Sequence, residues 1–435
     1  MERNMARKLL LIVFLMGGFF VAPAGISLAG PAAKDTLSSL IEEARGHNPR
    51  IRAAQYRVSA AHARTALFRG VPDPMVEYEH NKILPSMLSM PGEKIRPMKM
   101  LSVSQEIPFP TRIYLRKKSA QKDEAAARQE YLETEQKVIR ELKEAYYGLF
   151  LAQRKIAFTK DFLNLMGQFV EVTSKRYEAG RSGQQDVLRA QVEHAKVANA
   201  LVLYKKEARI AASLLLSILD RKDGDAVDIA DAQTVQDLKL EEADIIELAR
   251  KNRPELRSFG EMLARSEIEN SLAGQAFFPD ITLKYTRQEK DGKFSRLDEG
   301  EWTGMVGVKL PLWFWGRQIP EMKEARAELE AAKADYESAE NAAVFDARSA
   351  FAKYEASRDL VKIYETGILP QASSAVSTAR RAYESGGRGF LELLDSLRTL
   401  RELQVEYFES VAGLQISFAE LEQSLGGHFE QQDRR

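Results

Sequence analysis

The chain has 435 residues, with Lys+Arg and Asp+Glu both at 63 and no cysteine. Balanced charge leaves no basic footprint for nucleic acid. The missing cysteines exclude disulfides, thiolate metal sites and a lipid-modified cysteine.

Arg3, Arg7 and Lys8 precede an apolar run from Leu9 to Val21, and Ser27-Leu28-Ala29 supplies small residues for cleavage. This layout predicts a secretory signal peptide over 1–29. The alternative is a membrane anchor, for which the run is short against the roughly 20 residues of a span. Removing Arg3, Arg7, Lys8 and Glu2 leaves 60 basic and 62 acidic residues. No other stretch is long and apolar enough for a membrane helix.

Residues 36–70 read as helical, with Leu37, Leu40, Ile41 and Ala44 at helical spacing, a break over Gly46–Pro49, and a second stretch from Arg50 to Phe68. Val71-Pro72-Asp73-Pro74 then stops any helix, because proline fixes φ and removes a donor. The period changes to two over about 74–80 and 100–107. Val76, Tyr78 and His80 alternate with Met75, Glu77 and Glu79, and Leu101, Val103, Gln105 and Ile107 alternate with Ser102, Ser104 and Glu106. These are strands with one apolar and one polar face, joined by a loop over 81–98. From Thr111 to Ala179 there is no proline and only Gly148 and Gly167. Ile139, Leu142, Tyr146, Leu149, Ile156, Leu163, Met166, Val170 and Tyr177 recur at summed threes and fours, a coiled-coil seam. A helix over about 112–179 is on the order of 100 Å long. Gly180–Gly183 reverses the chain into a helix over about 184–219.

The same plan then returns. Tyr177-Glu178-Ala179-Gly180 is answered by Tyr383-Glu384-Ser385-Gly386, an offset of 206 (383 − 177). Asn48-Pro49 is answered by Arg253-Pro254 (offset 205, 254 − 49), and Ile107-Pro108 by Leu310-Pro311 (offset 203, 311 − 108). Three landmarks in one order at nearly one offset predict a tandem duplication. The first repeat spans 30–225, a linker 226–240, the second repeat 241–427 and a tail 428–435. In the second repeat, strands fall at about 281–289 and 302–310 and helices at about 318–385 and 390–425. Pro370 predicts a kink near Leu369.

Four such strands fit either a small soluble β-domain or a share of an outer-membrane barrel, which uses strands of this length and two-faced pattern. Aromatics near the strand ends (Tyr78, Phe109, Tyr285, Trp302, Trp313, Phe314, Trp315) fit a membrane-interface girdle. Four strands cannot close a barrel, and lipid does not tolerate open edges. In a membrane, several chains must share one barrel.

Signal peptide, strand–Pro–long helix–Gly turn–helix given twice, and Ser104-Gln105-Glu106-Ile107-Pro108-Phe109-Pro110 together resemble the TolC-like outer-membrane efflux family. The resemblance covers nearly the whole mature chain. It implies a mainly α fold with a β-barrel portion: a homotrimer whose protomers each give four strands to a twelve-stranded barrel continued by a periplasmic coiled-coil α-barrel. It implies an outer-membrane exit duct working with a periplasmic adaptor protein and an inner-membrane pump. Tyr383, Gly386 and Arg388 match the family's tyrosine, glycine and arginine at the inner periplasmic tip, where tyrosine and arginine take part in bonds that hold the iris shut. Glu392 and Asp395 match two aspartates that ring the narrowest point, with Glu for Asp at 392 as the departure. Tyr177, Gly180, Gly183 and Asp186 fall at the equivalent first-repeat tip, implied to dock the adaptor and pack the tip; Gly386 shares that docking role.

The residues permit two readings of the acids. Glu392 and Asp395 are i, i+3 on one helix face, so three copies would set a cation-attracting ring in a lumen; a solvated helix start would favour acids too. Gly386-Gly387-Arg388-Gly389 has neither a preceding strand nor a following Lys-Ser/Thr, and reads as a turn, not a phosphate loop. The histidines are scattered without metal-binding spacing, no nucleophile elbow or zinc-protease motif is present, and neither an enzyme nor a cofactor is expected. Met87, Met90, Met98 and Met100 surround the first strand loop; thioethers suit Cu(I), and flexible methionine also fills loops and barrel mouths. The functional expectation is a gated passive channel of a tripartite efflux system for small molecules or metal ions. Its alternatives are a type I protein-secretion duct and, from another class, a periplasmic coiled-coil scaffold.

Overall fold

The computed structural model describes residues 36–68, 70, 72–81, 98–222, 229, 241–290, 301–385 and 390–427. The first repeat runs α1 (Leu37–His47), α2 (Pro49–Leu67), β1 (Met75–Asn81), β2 (Met98–Ile107), α3 (Pro110–Glu178) and α4 (Gln184–Leu219). The second runs α5 (Glu242–Asn252), α6 (Pro254–Gly274), a short 3-10 turn (Gln275–Phe277), β3 (Asp280–Lys290), β4 (Glu301–Lys309), α7 (Gln318–Ile363), a π-helical turn (Tyr364–Ile368), α8 (Leu369–Glu384) and α9 (Phe390–Ser424). The fold is mainly α.

The 205-residue offset survives as physical contacts. Leu40 and Ala44 of α1 are fully buried, as are Ile245 and Ala249 of α5, each 205 further on. Arg45 pairs with Glu135 at 2.8 Å, and Arg250, at the same offset, with Glu340 at 3.1 Å. Each short helix pair bends at an X-Pro step, where proline at the first helical position lacks an N–H that would be unsatisfied anyway. In the first repeat Asn48 completes the bend. Its Oδ1 accepts from the Arg50 and Ile51 amides, and its Nδ2 donates 2.7 Å to the Ile218 carbonyl near the end of α4. In the second repeat α9 arrives instead through Gly426, whose carbonyl accepts from Gln136 Nε2 at 2.6 Å.

The four strands form one antiparallel sheet in the order β1-β2-β3-β4, so β2 and β3 join the repeats and β1 and β4 are the edges. The register places Val76 opposite Val103 and Val103 opposite Tyr285. That face carries Tyr78, Leu101, Leu283, Val306 and Val308, all exposed. The opposite face is polar: Glu77 accepts from Lys284 at 2.8 Å and from Ser102 at 3.2 Å. Met100 belongs to β2, within the strand the sequence predicts, and Met98 begins that strand instead of ending the loop. Met87 and Met90 fall outside the described residues.

Below the sheet the helices also lie four abreast. Nearest the sheet the neighbours run α2–α3–α6–α7; further away they run α4–α3–α9, with α7 and then α8 beyond. In every layer α3 is interior, the outer element on one side comes from the first repeat, and that on the other side comes from the second. The edge helices keep apolar side chains exposed: Tyr56 and Leu67 on α2, Val202, Ile210 and Leu214 on α4, Phe345, Leu360 and Ile363 on α7.

Two expectations need correction. Leu142, Tyr146, Leu149 and Met166 are buried as the seam requires, but Tyr177 is 46% exposed. The last fully buried residue of α3 is Thr173, outside the predicted seam. The second long helix is not one α-helix with a kink at Leu369. A five-residue π turn over Tyr364–Ile368 precedes Pro370. Opening the hydrogen-bond ladder there accommodates a ring that lacks an N–H and would clash with the preceding turn. Tyr364 donates to Glu406, and Tyr407 donates back to Glu365, both at 2.8 Å, fastening the turn to α9. Each phenol is held above its usual pKa: Tyr364 first by the hydrogen bond to Glu406, Tyr407 first by burial.

Candidate functional site

The ends of α3, α4, α8 and α9 meet far from the sheet around one apolar cluster. Phe162 and Met166 of α3, Ala190 and Val197 of α4, Ala379 and Tyr383 of α8, and Phe390, Leu393, Leu394 and Leu397 of α9 are all buried in it. The first-repeat turn is built by its backbone. Gly180 has φ +66°, the Gly180 amide donates to Tyr177 O at 2.9 Å, and the Arg181 amide donates to Arg176 O at 2.8 Å. This is a Schellman cap, and glycine occupies its left-handed position because a Cβ would be strained there. Gly183 then precedes α4, with Asp186 in its first turn, where an acid favours the helix dipole.

The two tyrosines that match in sequence have different surroundings. Tyr177 is 46% exposed and Tyr383 only 8%. Tyr383 packs on Phe390 with ring centroids 6.0 Å apart, and the Arg176 guanidinium sits 4.2 Å over its ring. That cation–π contact ties the end of the first repeat's long helix to the end of the second's. A further tie is ionic: Arg398 of α9 reaches Glu193 of α4, 2.5 Å from Nη2 and 2.7 Å from Nε. Glu193 is fully buried, so removing Arg398 would strand a charge in an apolar setting. Sequence reading missed Arg176, Glu193 and Arg398. No local signal marked the pair: at the 206 offset of the tip Glu193 answers Thr399, so its bond to Arg398 is purely tertiary.

Leu393, Leu394 and Leu397 turn one face of α9 into the cluster. Glu392 and Asp395 occupy the opposite face and are exposed. The structure thus brings the two acids together on one exposed face of α9, turned away from the cluster that buries Tyr383. Gly386 and Arg388 lie outside the described residues.

Elsewhere the described residues offer little binding chemistry. A cleft of about 220 Å³ is lined by Arg140, Arg253, Asp346, Lys353 and Glu420. Its cations are already taken: Arg253 by Asp346 at 2.8 Å, Lys353 by Glu420 at 2.8 Å, and Arg140 by Glu144. Among the described residues no three His, Asp or Glu side chains are grouped to hold a metal, and no helix is long and apolar enough to cross a membrane.

The family model for outer membrane efflux proteins matches residues 40–220 and 245–427, the two repeats in turn. The chain belongs to the outer membrane efflux protein family. It is an outer-membrane efflux channel protein with a long helical extension, which removes the soluble-scaffold alternative. It is similar to the outer membrane protein TolC of Vibrio cholerae, 24% identical over 95% of both chains. It is also similar to the alkaline protease secretion protein AprF of Pseudomonas aeruginosa, 24% identical over 61% of this chain and 56% of the other. The probable outer membrane lipoprotein SilC of Salmonella typhimurium is 24% identical over 40% of this chain and 38% of its own. Among solved structures, the fold is shared with CusC (TM-score 0.79, 20% identity, covering 92% of this chain and 96% of that one). The channel OprN is equally close, with TM-score 0.80 and 21% identity over 90% of each chain.

Proposed function

We propose that three copies of this chain close into a twelve-stranded barrel and a continuous helical tube, a passive duct gated at the helical tips. The observation that carries this reading is the open flank. The sheet and both helical layers are four elements wide and end on the same two sides, with β1, α2 and α4 on one and β4 and α7 on the other. Unpaired strand edges are not viable in lipid. Pairing β4 of one copy with β1 of the next satisfies them and covers the apolar flanks of α2, α4 and α7 in the same movement. Residues 1–29 direct export and are removed.

In this reading Glu392 and Asp395 of three copies face the lumen at its narrow end, and Tyr383, Arg388 and Arg176 hold the tips together. Tyr177, Gly180, Gly183, Asp186 and Gly386 present the outer surface of the tips to a periplasmic adaptor, which links the duct to an inner-membrane pump that supplies the energy. Cargo is small molecules or metal ions. A protein cargo is the second reading, supported by the likeness to AprF.

The test is conductance in planar bilayers. Glu392→Ala with Asp395→Ala is expected to raise single-channel conductance and weaken block by multivalent cations, since removing a carboxylate ring removes their site. Unchanged block would take these residues out of the lumen.

A further inference from the structure

The two open flanks nearest the sheet carry opposite charge. α2 holds four arginines and no acid, while residues 318–346 of α7 hold eight carboxylates against three cations. Part of this charge has no counterpart within the chain. Among the described residues Arg57 and Arg64 have no acidic partner, and Glu324, Glu328 and Asp335 have no basic one; all five are exposed. Their neighbours are paired: Arg50 with Glu141 at 2.5 Å, Glu321 with Arg317 at 2.7 Å, and Asp346 with Arg253 at 2.8 Å. Arg57 and Arg64 are seven residues apart, and the three acids are four and seven apart, so each set forms a stripe along one side of its helix.

A ladder of contacts across the helical layer sets the heights of the two stripes. Thr65 donates to the Ala120 carbonyl at 3.3 Å, and His62 lies 3.1 Å from Glu124, so the end of α2 stands beside residues 120–124 of α3. Lys122 and Asp123 of α3 reach Glu261 and Arg265 of α6 at 2.8 and 3.1 Å. At Gly260 of α6 an added Cβ would stand 3.6 Å from the Tyr336 ring of α7. Arg64 and Asp335 thus sit at one height on opposite flanks, and a closed ring of copies has no axial step. They also lie on the same side of the wall. α2 runs towards the sheet, α7 runs away from it, and their inward faces point in opposite directions. Across a seam between copies the two helices are therefore related by a local two-fold axis normal to the wall. Arg64 directly precedes inward-facing Thr65 and Asp335 directly precedes Tyr336, so the two are equivalent positions about that axis. Along the seam itself, Tyr56 and Leu67 of α2 point out beside Ala60 and Ala63, against exposed Ala327, Ala331, Ala334 and Ser338 of α7. Large side chains meet small ones, which permits close packing.

Building on the channel reading, we infer that each copy recognises the next through an arginine–carboxylate seam, with Arg64 of α2 paired in trans to Asp335 of α7. Arg57, Glu324 and Glu328 extend the attraction above and below. The partner is a second copy of this chain, and the seam sets its height as well as its identity. Edge strands alone leave several pairings open, and a slip of one residue turns every side chain to the wrong face. A charged pair held by rigid helices beneath the sheet selects one of them.

The test follows full-length protein in mild detergent as rings dissociate to monomers at a fixed elevated temperature, read on native gels. Arg64→Glu and Asp335→Arg each put like charges at every seam. Each is expected to speed dissociation about tenfold, the joint effect of several exposed pairs lost at once. The double variant Arg64→Glu/Asp335→Arg restores an opposite pair at every seam and should return to within about twofold of the native rate. All differences should vanish in about 1 M salt, where the screening length falls to about 3 Å. A double variant whose defect is the product of the two single defects would overturn the seam, since damage to folding accumulates and is not cured by exchanging the charges. Native rings whose single variants dissociate at the native rate would sink the seam and leave the ring standing. A native chain found only as monomer would sink the ring itself.

Discussion

At the scale of single residues, the elbows of the short helices carry most of the specific chemistry outside the tip. Glu43 of α1 receives Arg221, just past α4, in a paired contact of 2.7 Å to Oε1 and 2.6 Å to Oε2. The hydrogen bond from Arg221 holds its carboxyl below the ordinary carboxylate range, against the opposing effect of burial. A depressed acid contributes stability above its unfolded-state pKa, and that contribution is lost as pH falls through the folded value. Glu43→Gln should therefore lower the helical melting temperature in detergent at neutral pH. The deficit is about 1 kcal/mol or less at this exposure, and the two curves should converge in acid. A gap that stays constant with pH would mean the pair is not its source. Such contacts were partly legible. Asn48 before proline announces a helix start, but its bond to Ile218, 170 residues away, is tertiary and leaves no local trace. Arg253, its repeat counterpart, shows how little side-chain identity survives where the backbone plan does.

Among the elements, the sequence revealed those whose burial is periodic. The long seam of α3 was legible because burial every three or four residues is imposed by one straight interface, and the strands because one face is apolar throughout. The π turn was not legible, since its residues, Tyr-Glu-Thr-Gly-Ile, are ordinary helix content and only Pro370 marks a disturbance. The closing of α9 on the α5–α6 elbow is a second hidden feature. Gly426 has φ +86°, and a Cβ there would stand 2.6 Å from the Asn252 carbonyl oxygen. Gly426→Ala should thus cost about 2–3 kcal/mol, combining strained backbone with a steric clash against main chain. Gly46→Ala is the control. No heavy atom lies within 4 Å of its added Cβ, and inside α1 it should be neutral or raise stability by up to about 1 kcal/mol. Equal melting shifts for both variants would refute the close-approach argument.

For the whole molecule, the assignment of faces was legible but the assembly was not, because a single chain's pattern records which side is apolar and not what covers it. The acids Glu392 and Asp395 illustrate the limit. Their shared face was read from spacing, while Arg176 over Tyr383 required knowing that two helix ends 206 residues apart converge. The flank geometry makes a direct prediction. With no native cysteine, Glu77→Cys on β1 and Met305→Cys on β4, both on the polar face, should be joined between copies by a flexible bismaleimide. The ladder should stop at three chains, because a head-to-tail interface that closes with three members has no free edge left. Dimers alone, or a ladder without end, would contradict the ring.

Glu193 and Arg398 hold one further consequence. They join the return helices of the two repeats within one chain. Parting those helices would leave a fully buried carboxylate without its cation, a costly state. The two halves of each tip are therefore expected to move as one body. In a ring of copies, any widening of the end of the tube has to come from sliding between neighbouring chains.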